Sequence, residues 1–322
     1  MSIFYIAYLM LPIVALIALG YILRELKIFT EQTSEVLLKF LLYVTLPGVI
    51  ISHLSGKNPQ SLIHPNFIWA TIAGLIIMYA VTFFLHKIIF KKDLETTSIA
   101  ALCTSFVSTG IVGLPILQNI LGIETTIIPV ITNTILSLLI VVPITIFLAR
   151  ESEAKARDSV FKVLKLSLLD TLKHPLILSS IVGLVILFFS IPIPSWLLQT
   201  LNNMGAGTFV VALVAVGAGI NFKTLQKDLK EILFLTALRM GAFTLLGFGL
   251  AFYFQLPSVL AMTFVMIFAL PTAKAVPGIA ERYKRLASES FQVVTLTTLL
   301  TIIIMPIVVY IANMWWPGVI IR

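Results

Sequence analysis

The sequence predicts an all-α polytopic membrane protein, and composition together with charge placement carries this prediction. Of the 322 residues, 59% are hydrophobic and 11% are charged, with a mean hydropathy of +1.07. An ordinary soluble domain has about a quarter of its residues charged. The charges here stand in short islands between apolar stretches of about 20 residues, the length that an α-helix needs to cross a lipid bilayer. A membrane β-barrel would instead show short alternating segments.

The pattern predicts ten transmembrane helices, numbered here as spans 1 to 10. They cover residues 4–23, 36–54, 66–90, 96–121, 127–149, 175–191, 196–220, 231–254, 258–284 and 289–315. Of the 22 Lys and Arg residues, 17 fall in loops after odd-numbered spans, whereas the loops after even-numbered spans hold Lys57 alone. Because positively charged loops stay in the cytoplasm, we expect both termini outside the cell membrane. The net charge of +8 thus reflects topology and not affinity for nucleic acid.

Two halves of the chain resemble each other at an offset of 163 residues. The matched positions are Pro12 with Pro175, Gly20 with Gly183, and Pro143 with Pro306. Residues 1–150 are predicted to form the first five-helix repeat and residues 175–322 the second, joined by a basic amphipathic linker at 151–174 on the cytoplasmic surface. Each half has an odd number of spans, so the second half inserts upside down. Many secondary transporters are built as such inverted repeats.

Spans 4 and 9 are interrupted by glycine and proline at corresponding places. Proline removes a backbone donor and blocks a helical hydrogen bond, which frees polar backbone groups in the middle of the membrane. Freed N–H groups can bind an anion, and freed carbonyl groups can bind a cation. The alternative is a packing kink in each helix. The candidate substrate-binding residues are Ser108, Thr109, Gly110, Gly113, Pro115, Asn133, Pro271, Thr272, Lys274 and Pro277.

Charged residues inside the spans separate a functional candidate from a structural one. Lys274 lies near the middle of span 9, where a lysine costs about 2.5–3.5 kcal/mol. We interpret it as the counter-charge of an anionic substrate; the alternative is a lysine that snorkels or is satisfied by backbone carbonyl groups. Arg239 is interpreted as a structural residue that reaches the cytoplasmic side. All fourteen carboxylates lie in loops or near predicted helix ends, so no deep proton relay is predicted and Lys274 is expected to lack an acidic partner. The sequence predicts neither a metal site nor a cofactor.

Several motifs resemble the auxin efflux carrier family, which includes plant PIN-type carriers and bacterial malate and malonate permeases. They are Leu19-Gly20-Tyr21-Ile22-Leu23-Arg24, Tyr43-Val44-Thr45-Leu46-Pro47, Gly110-x-x-Gly113-Leu114-Pro115, and Ala269-Leu270-Pro271 followed by Pro277 and Ala280-Glu281-Arg282-Tyr283. The resemblance implies crossing broken helices 4 and 9, a scaffold of spans 1, 2, 6 and 7, and a transport domain of spans 3–5 and 8–10. It also implies elevator-like movement, a homodimer and, for a bacterial relative, the inner membrane.

Two positions depart from the family pattern. Ser108 stands where many relatives have asparagine, and Lys274 has no counterpart between the span-9 prolines of the plant carriers. The substrate identity is therefore not carried over from the family.

The predicted function is secondary transport of a small organic anion, a mono- or dicarboxylate that is auxin-like or malate-like. A sodium-coupled symporter of the bile-acid type, or a channel or receptor with the same fold, remains the alternative, and the coupling ion is open between a proton, sodium and none. An enzyme is disfavoured because H-E-x-x-H and G-x-S-x-G are absent, and a G-x-x-x-x-G-K-[ST] nucleotide motif is absent as well.

Overall fold

The computed structural model describes residues 3–30, 32–55, 64–150, 173–220 and 229–320, and the regular structure in these ranges is helical. The helices are α1 Ile3–Glu25, α2 Thr33–Phe40, α3 Leu46–Leu54, α4 Pro65–Phe90, α5 Leu94–Ser105, α6 Leu114–Leu121, α7 Ile123–Arg150, α8 Pro175–Phe188, α9 Ser195–Ala206, α10 Thr208–Ala218, α11 Leu229–Ala237, α12 Phe243–Tyr253, α13 Ser258–Phe268, α14 Ala275–Arg282 and α15 Ala287–Trp315. Lys57 and most of the predicted linker lie outside the described residues.

Seven helical stretches of the described residues are long and apolar enough to cross a membrane. They are Phe4–Glu25, Thr33–Leu54, Pro65–Phe90, Ile123–Ala149, Ser195–Ala218, Leu229–Tyr253 and Ala287–Trp315. The remaining predicted spans 4, 6 and 9 coincide with the shorter apolar helices Thr109–Leu121, Pro175–Phe188 and Ser258–Phe268. The prediction of an all-α multi-pass membrane protein is therefore confirmed, with seven of its spans as continuous helices.

Five-residue π-helical segments occur at Leu41–Thr45, Thr109–Gly113 and Leu238–Ala242. The first two end two residues before Pro47 and Pro115. Because proline has no N–H to donate, the carbonyl four residues earlier loses its helical partner, and the turn widens there. The proline positions in the sequence thus account for two of these three segments.

Glycines allow α1, α3, α8 and α10 to pack closely. A Cβ atom on Gly20 would lie 2.1 Å from the carbonyl oxygen of Val214, and one on Gly217 would lie 1.9 Å from that of Ile17. The backbones of α1 and α10 therefore touch at positions where only glycine fits. Gly183 of α8 makes room for a side chain of α3, since its added Cβ would lie 2.7 Å from a side-chain carbon of Leu54.

A second closely packed group consists of α4, α12 and α13. Cβ atoms added to Gly74 and Gly247 would lie 2.2 Å and 2.6 Å from the side chain of Phe268. The Phe268 ring fills this space and stacks on Phe264, with 4.5 Å between ring centroids. The C-terminal end of α13 is thereby fixed in the core, next to the interrupted region.

Candidate substrate site at the crossing of two interrupted helices

The chain leaves helical geometry between α5 and α6 and again between α13 and α14, and the two extended segments pair with each other. Val107 and Thr272 face each other in an antiparallel bridge. On one side of the bridge, the Ser108 N–H donates to the carbonyl oxygen of Pro271 at 2.9 Å. On the other side, a second backbone hydrogen bond of 2.8 Å joins the same two segments. Backbone groups that the breaks set free are thus partly satisfied by the opposite segment.

Side chains from neighbouring helices hold this crossing in place. The Thr272 hydroxyl donates to the carbonyl oxygen of Cys103 at 2.6 Å, and the Thr272 N–H donates to the Thr297 hydroxyl at 3.2 Å. The Thr109 hydroxyl donates to Oδ1 of Asn133 at 3.0 Å. All five residues are buried. Thr272 and Asn133, both candidate binding residues, are already bonded within the protein and orient the two segments.

A small cavity of about 70 Å³ lies against the crossing. Ser108, Thr109, Gly110 and Lys274 line it, together with apolar side chains. The Ser108 hydroxyl is buried and has no hydrogen-bond partner among the described residues. A buried hydroxyl without a partner is costly, so Ser108 is a group that a ligand could satisfy.

The Lys274 ammonium is bonded to backbone carbonyl groups, which is one of the alternatives that the sequence left open. Its Nζ donates to the carbonyl oxygens of Ala215 at 3.2 Å and Val216 at 3.4 Å, both in the last turn of α10. Carbonyl groups of a last helical turn lack helical partners and carry the negative end of the helix dipole. Among the described residues, the partner of Lys274 is thus a helix C-terminus.

A larger cavity of about 350 Å³ lies between α1, α2 and α10 on one side and α14 and α15 on the other. Its polar lining consists of Arg24, Ser34, Glu35, Lys274, Thr295 and Thr298, and Pro277 contributes to the apolar part. Lys274 lines both cavities. The Glu35 carboxylate is paired with Lys39 at 2.7 Å, so Arg24 and Lys274 leave the lining with an excess of positive charge. The volume falls at the lower end of the range for small-ligand pockets.

Arg239 is fully buried, and the interpretation of it as a snorkelling residue is wrong. Its Nε and Nη2 donate to the carbonyl oxygen of Leu270 at 2.9 Å and 2.6 Å, and Nη2 reaches that of Ile267 at 3.4 Å. The guanidinium therefore binds carbonyl groups freed at the end of α13. It acts as a structural clamp on the second interruption.

Gly113 and Pro115 contribute to the first interruption through packing and helix geometry. A Cβ atom on Gly113 would lie 2.4 Å from a side-chain carbon of Leu270, so the glycine allows the two broken helices to approach each other. Pro115 lies in the first turn of α6, where a missing N–H costs nothing. Neither residue lines the two cavities.

His174 closes the small cavity at the start of α8. Burial lowers the pKa of this imidazole, which keeps it neutral at neutral pH. It offers hydrogen bonding and no fixed charge to a ligand.

A buried ionisable pair lies away from these cavities and was missed by the sequence reasoning. His86 Nε2 of α4 lies 2.6 Å from Glu231 Oε1 of α11, with side-chain exposures of 0% and 3%. Glu231 stands near a helix end, as expected, but it is not at the surface. A histidine in an otherwise apolar helix was the available signal.

The described residues form seven helices that are long and apolar enough to cross a membrane. Two interrupted segments pair beside cavities that a lysine side chain lines. These features together are typical of a membrane protein of the transporter class. The chain belongs to the auxin efflux carrier family, since the family model described as "Membrane transport protein" matches residues 5–309.

Curated relatives agree with this assignment. A "Putative malonate transporter" of Rhizobium meliloti is 22% identical over 296 residues, covering 91% of this chain and 92% of that protein. An uncharacterized transporter of Methanocaldococcus jannaschii is 24% identical over 224 residues, covering 67% and 69%.

Proposed function

We propose that the protein is a secondary transporter that moves a small organic anion, a mono- or dicarboxylate, across the cell membrane. The observation that carries the proposal is the paired crossing of two interrupted segments with the Lys274 ammonium beside it, between two cavities. Interrupted helices that present backbone groups and a fixed charge in mid-membrane are the usual substrate site of inverted-repeat carriers.

Contacts between repeat-equivalent residues support ten spans in two inverted five-helix repeats. Ser108 and Pro271 are 163 residues apart, the repeat offset, and they bond to each other at the crossing. A pseudo-twofold axis between the repeats would pass through such a pair. Gly20 packs span 1 on span 7, and its equivalent Gly183 packs span 6 on span 2, as the same axis requires.

An elevator movement agrees with the packing. We assign the glycine-packed group of α1, α3, α8 and α10 to the scaffold of spans 1, 2, 6 and 7, and both interrupted helices to the transport domain of spans 3–5 and 8–10. The larger cavity lies between these groups. Arg24 and the end of α10 fall on the predicted cytoplasmic side, so this conformation is open to the cytoplasm.

The positive side chains of the site favour an anion, and a dicarboxylate offers one carboxylate for each of two cations. Lys274 and Arg24 line the same cavity as Glu35, whose charge is balanced by Lys39, and the Ser108 hydroxyl is free to donate a hydrogen bond. A carboxylate forms stronger, charge-assisted bonds with an ammonium than a neutral carbonyl does, so it can displace the α10 carbonyl groups from Lys274. The name of the Rhizobium meliloti relative makes malonate the first compound to test.

Counterflow in proteoliposomes tests this function. Vesicles are loaded with unlabelled malonate, malate, indole-3-acetate or buffer, and the uptake of labelled malonate is followed. A carrier gives saturable uptake that an internal substrate accelerates. A channel would give flux without acceleration, a receptor would bind without flux, and a bile-acid-type symporter would take up taurocholate only with sodium; any of these results would replace the proposal.

A further inference from the structure

The buried pair of His86 and Glu231 joins two helices that we assign to the transport domain. The ring of His86 stacks on Phe90 with 5.0 Å between centroids, and its second nitrogen, Nδ1, is buried without a partner among the described residues. The substrate cavities do not include either residue. The pair therefore has no part in the binding site described above.

The short contact fixes where a proton must be. A ring nitrogen and a carboxylate oxygen 2.6 Å apart need a proton between them. If the pair holds that single proton on a neutral imidazole, Glu231 leaves a full negative charge in an apolar interior. One additional proton makes the pair neutral overall, which removes most of the cost of burying the charge. The pair is therefore built to bind and release one proton.

Few charged groups on the surrounding helices compete for this role. On α5, the Glu95 carboxylate is paired with Arg285 and the Cys103 thiol is buried, while α15 carries Glu289 in its first turn. Helices α12 and α13 carry no carboxylate, lysine or arginine, and α7 carries such residues only at its two ends. On α4 itself, the Lys87 ammonium binds the carbonyl oxygen of Lys92. Among the described groups, no fixed cation is bonded to Glu231.

Lys230 precedes Glu231 but is exposed at the start of α11, and the next cation beyond Glu231 is Arg239, eight residues or about 12 Å further along the same helical stretch. Its guanidinium is bonded to backbone carbonyl groups and not to the carboxylate. It contributes charge to the interior without neutralising the pair directly.

A series of polar contacts connects the helix of His86 to the crossing. Thr82 lies one turn before His86, and its hydroxyl is 2.6 Å from the hydroxyl of Thr104 in α5. Thr104 follows Cys103, whose carbonyl oxygen accepts the hydroxyl of Thr272 at the crossing. A change in charge at the pair is therefore made in helices that directly hold the substrate site.

We propose that the pair of His86 and Glu231 is a proton-binding site, and that one proton bound there is coupled to carboxylate transport. The inference rests on the proposed transport function. With the additional proton absent, the negative charge of Glu231 opposes the entry of a dianion into the site at the crossing. With it bound, the imidazole carries a proton on Nδ1 and the Glu231 carboxyl group donates to Nε2, so Glu231 is neutral and proton and dianion strengthen each other's binding.

Simultaneous measurement of proton and malonate movement tests the coupling. Proteoliposomes contain a pH-sensitive dye and receive labelled malonate from outside. We expect lumenal acidification in proportion to malonate uptake for the unaltered protein. In the double variant His86→Gln/Glu231→Gln, two amides keep a hydrogen bond between the helices but cannot take up a proton, and malonate-driven acidification should fall to the level of protein-free vesicles while uptake persists.

Glu95→Gln is the matched control, because Glu95 is a buried carboxylate already paired with Arg285 at 2.9 Å. Its loss should leave the proton-to-malonate ratio unchanged. Equal ratios in the double variant and the unaltered protein would overturn the proton site while leaving the transport function standing. Absence of malonate uptake, with counterflow of no other carboxylate, would remove the transport function and the inference with it.

Infrared difference spectra of the detergent-solubilised protein give a readout that does not depend on transport. Lowering the pH should produce the carbonyl stretch of a protonated carboxylic acid in the unaltered protein and in Glu95→Gln, with a loss of that band in the double variant. The same band in the double variant would contradict the assignment to Glu231.

Discussion

The Lys274 ammonium lies 3.2 Å from the carbonyl oxygen of Ala215, and this contact joins the interrupted helix to the end of α10. We assign α10 to the proposed scaffold and the Lys274 segment to the proposed transport domain, so the bond would cross the boundary along which an elevator slides. In the proposed transport cycle, a substrate carboxylate takes Lys274 away from α10. Substrate binding and release of the contact between the groups are then one event.

Substitution of Gly219 tests this competition. A Cβ atom there would lie 2.7 Å from Lys274 Nζ and 2.9 Å from Ser34 Oγ, and its φ of −84° suits alanine. Gly219→Ala should displace the flexible ammonium from the α10 carbonyl groups. Losing one competing bond of about 1 kcal/mol should raise carboxylate affinity about fivefold, as measured by calorimetry. Gly249→Ala, which would meet nothing within 4 Å, is the control; equal affinities would disprove the competition.

The first interruption depends on Pro115. In Pro115→Ala the new N–H can bond to the carbonyl of Ile111, which favours regular helix where the chain is now π-helical. We expect transport to fall several-fold, whereas stability changes by about 1 kcal/mol or less because the proline lies in a first turn. Uptake per folded protein, with abundance from fluorescence-detected gel filtration, measures both. Pro12→Ala, at an exposed position of α1, is the control. A parallel fall of abundance and activity would indicate a packing kink instead.

Arg239 is expected to be needed for folding more than for ligand contact. Arg239→Leu leaves the carbonyl of Leu270 without its guanidinium partner, and each such buried group costs about 1–3 kcal/mol. The melting temperature in detergent should drop well below that of the unaltered protein. Arg239→Lys keeps the charge but not the forked donor geometry and should be intermediate. A fully stable Arg239→Leu protein with weakened substrate binding would show that the residue serves the ligand.

The predicted topology is open to a labelling test. Lys57→Cys should react with a membrane-impermeant thiol reagent in intact cells, and Arg157→Cys should not, because the positive loops remain inside. Cys103→Ser provides a background without the native thiol, which is buried. Labelling of position 157 together with protection of position 57 would reverse the orientation.

Local sequence features predicted the all-helical architecture and its seven long apolar helices. Apolar length marks a span and proline removes a specific hydrogen bond, so the breaks before Pro115 and around Pro271 follow from nearby residues alone. The crossing itself needed the fold, because Ser108 and Pro271 come together from distant parts of the chain.

Partners of buried charges could not be predicted, since they depend on which helices become neighbours. The acceptors of Lys274 are backbone carbonyl groups, which leave no mark in a sequence. Glu231 and His86 are 145 residues apart, and a position near a helix end does not reveal depth in the folded bundle. For the same reason, Arg239 was expected to snorkel, whereas in the structure it is buried and bonded to backbone carbonyl groups.

Calorimetry of substrate binding tests the central claim most directly. The ligand is malonate, or the carboxylate that gives counterflow, and it is titrated into the unaltered protein and into Lys274→Gln, each with and without sodium. We predict at least tenfold weaker binding by the variant, equivalent to about 1.4 kcal/mol, and no recovery with sodium, because the ammonium itself pairs with the carboxylate. Recovery with sodium would instead identify Lys274 as a tethered replacement for a cation. Unchanged affinity in a well-folded Lys274→Gln protein would contradict the assignment of the substrate site to the crossing.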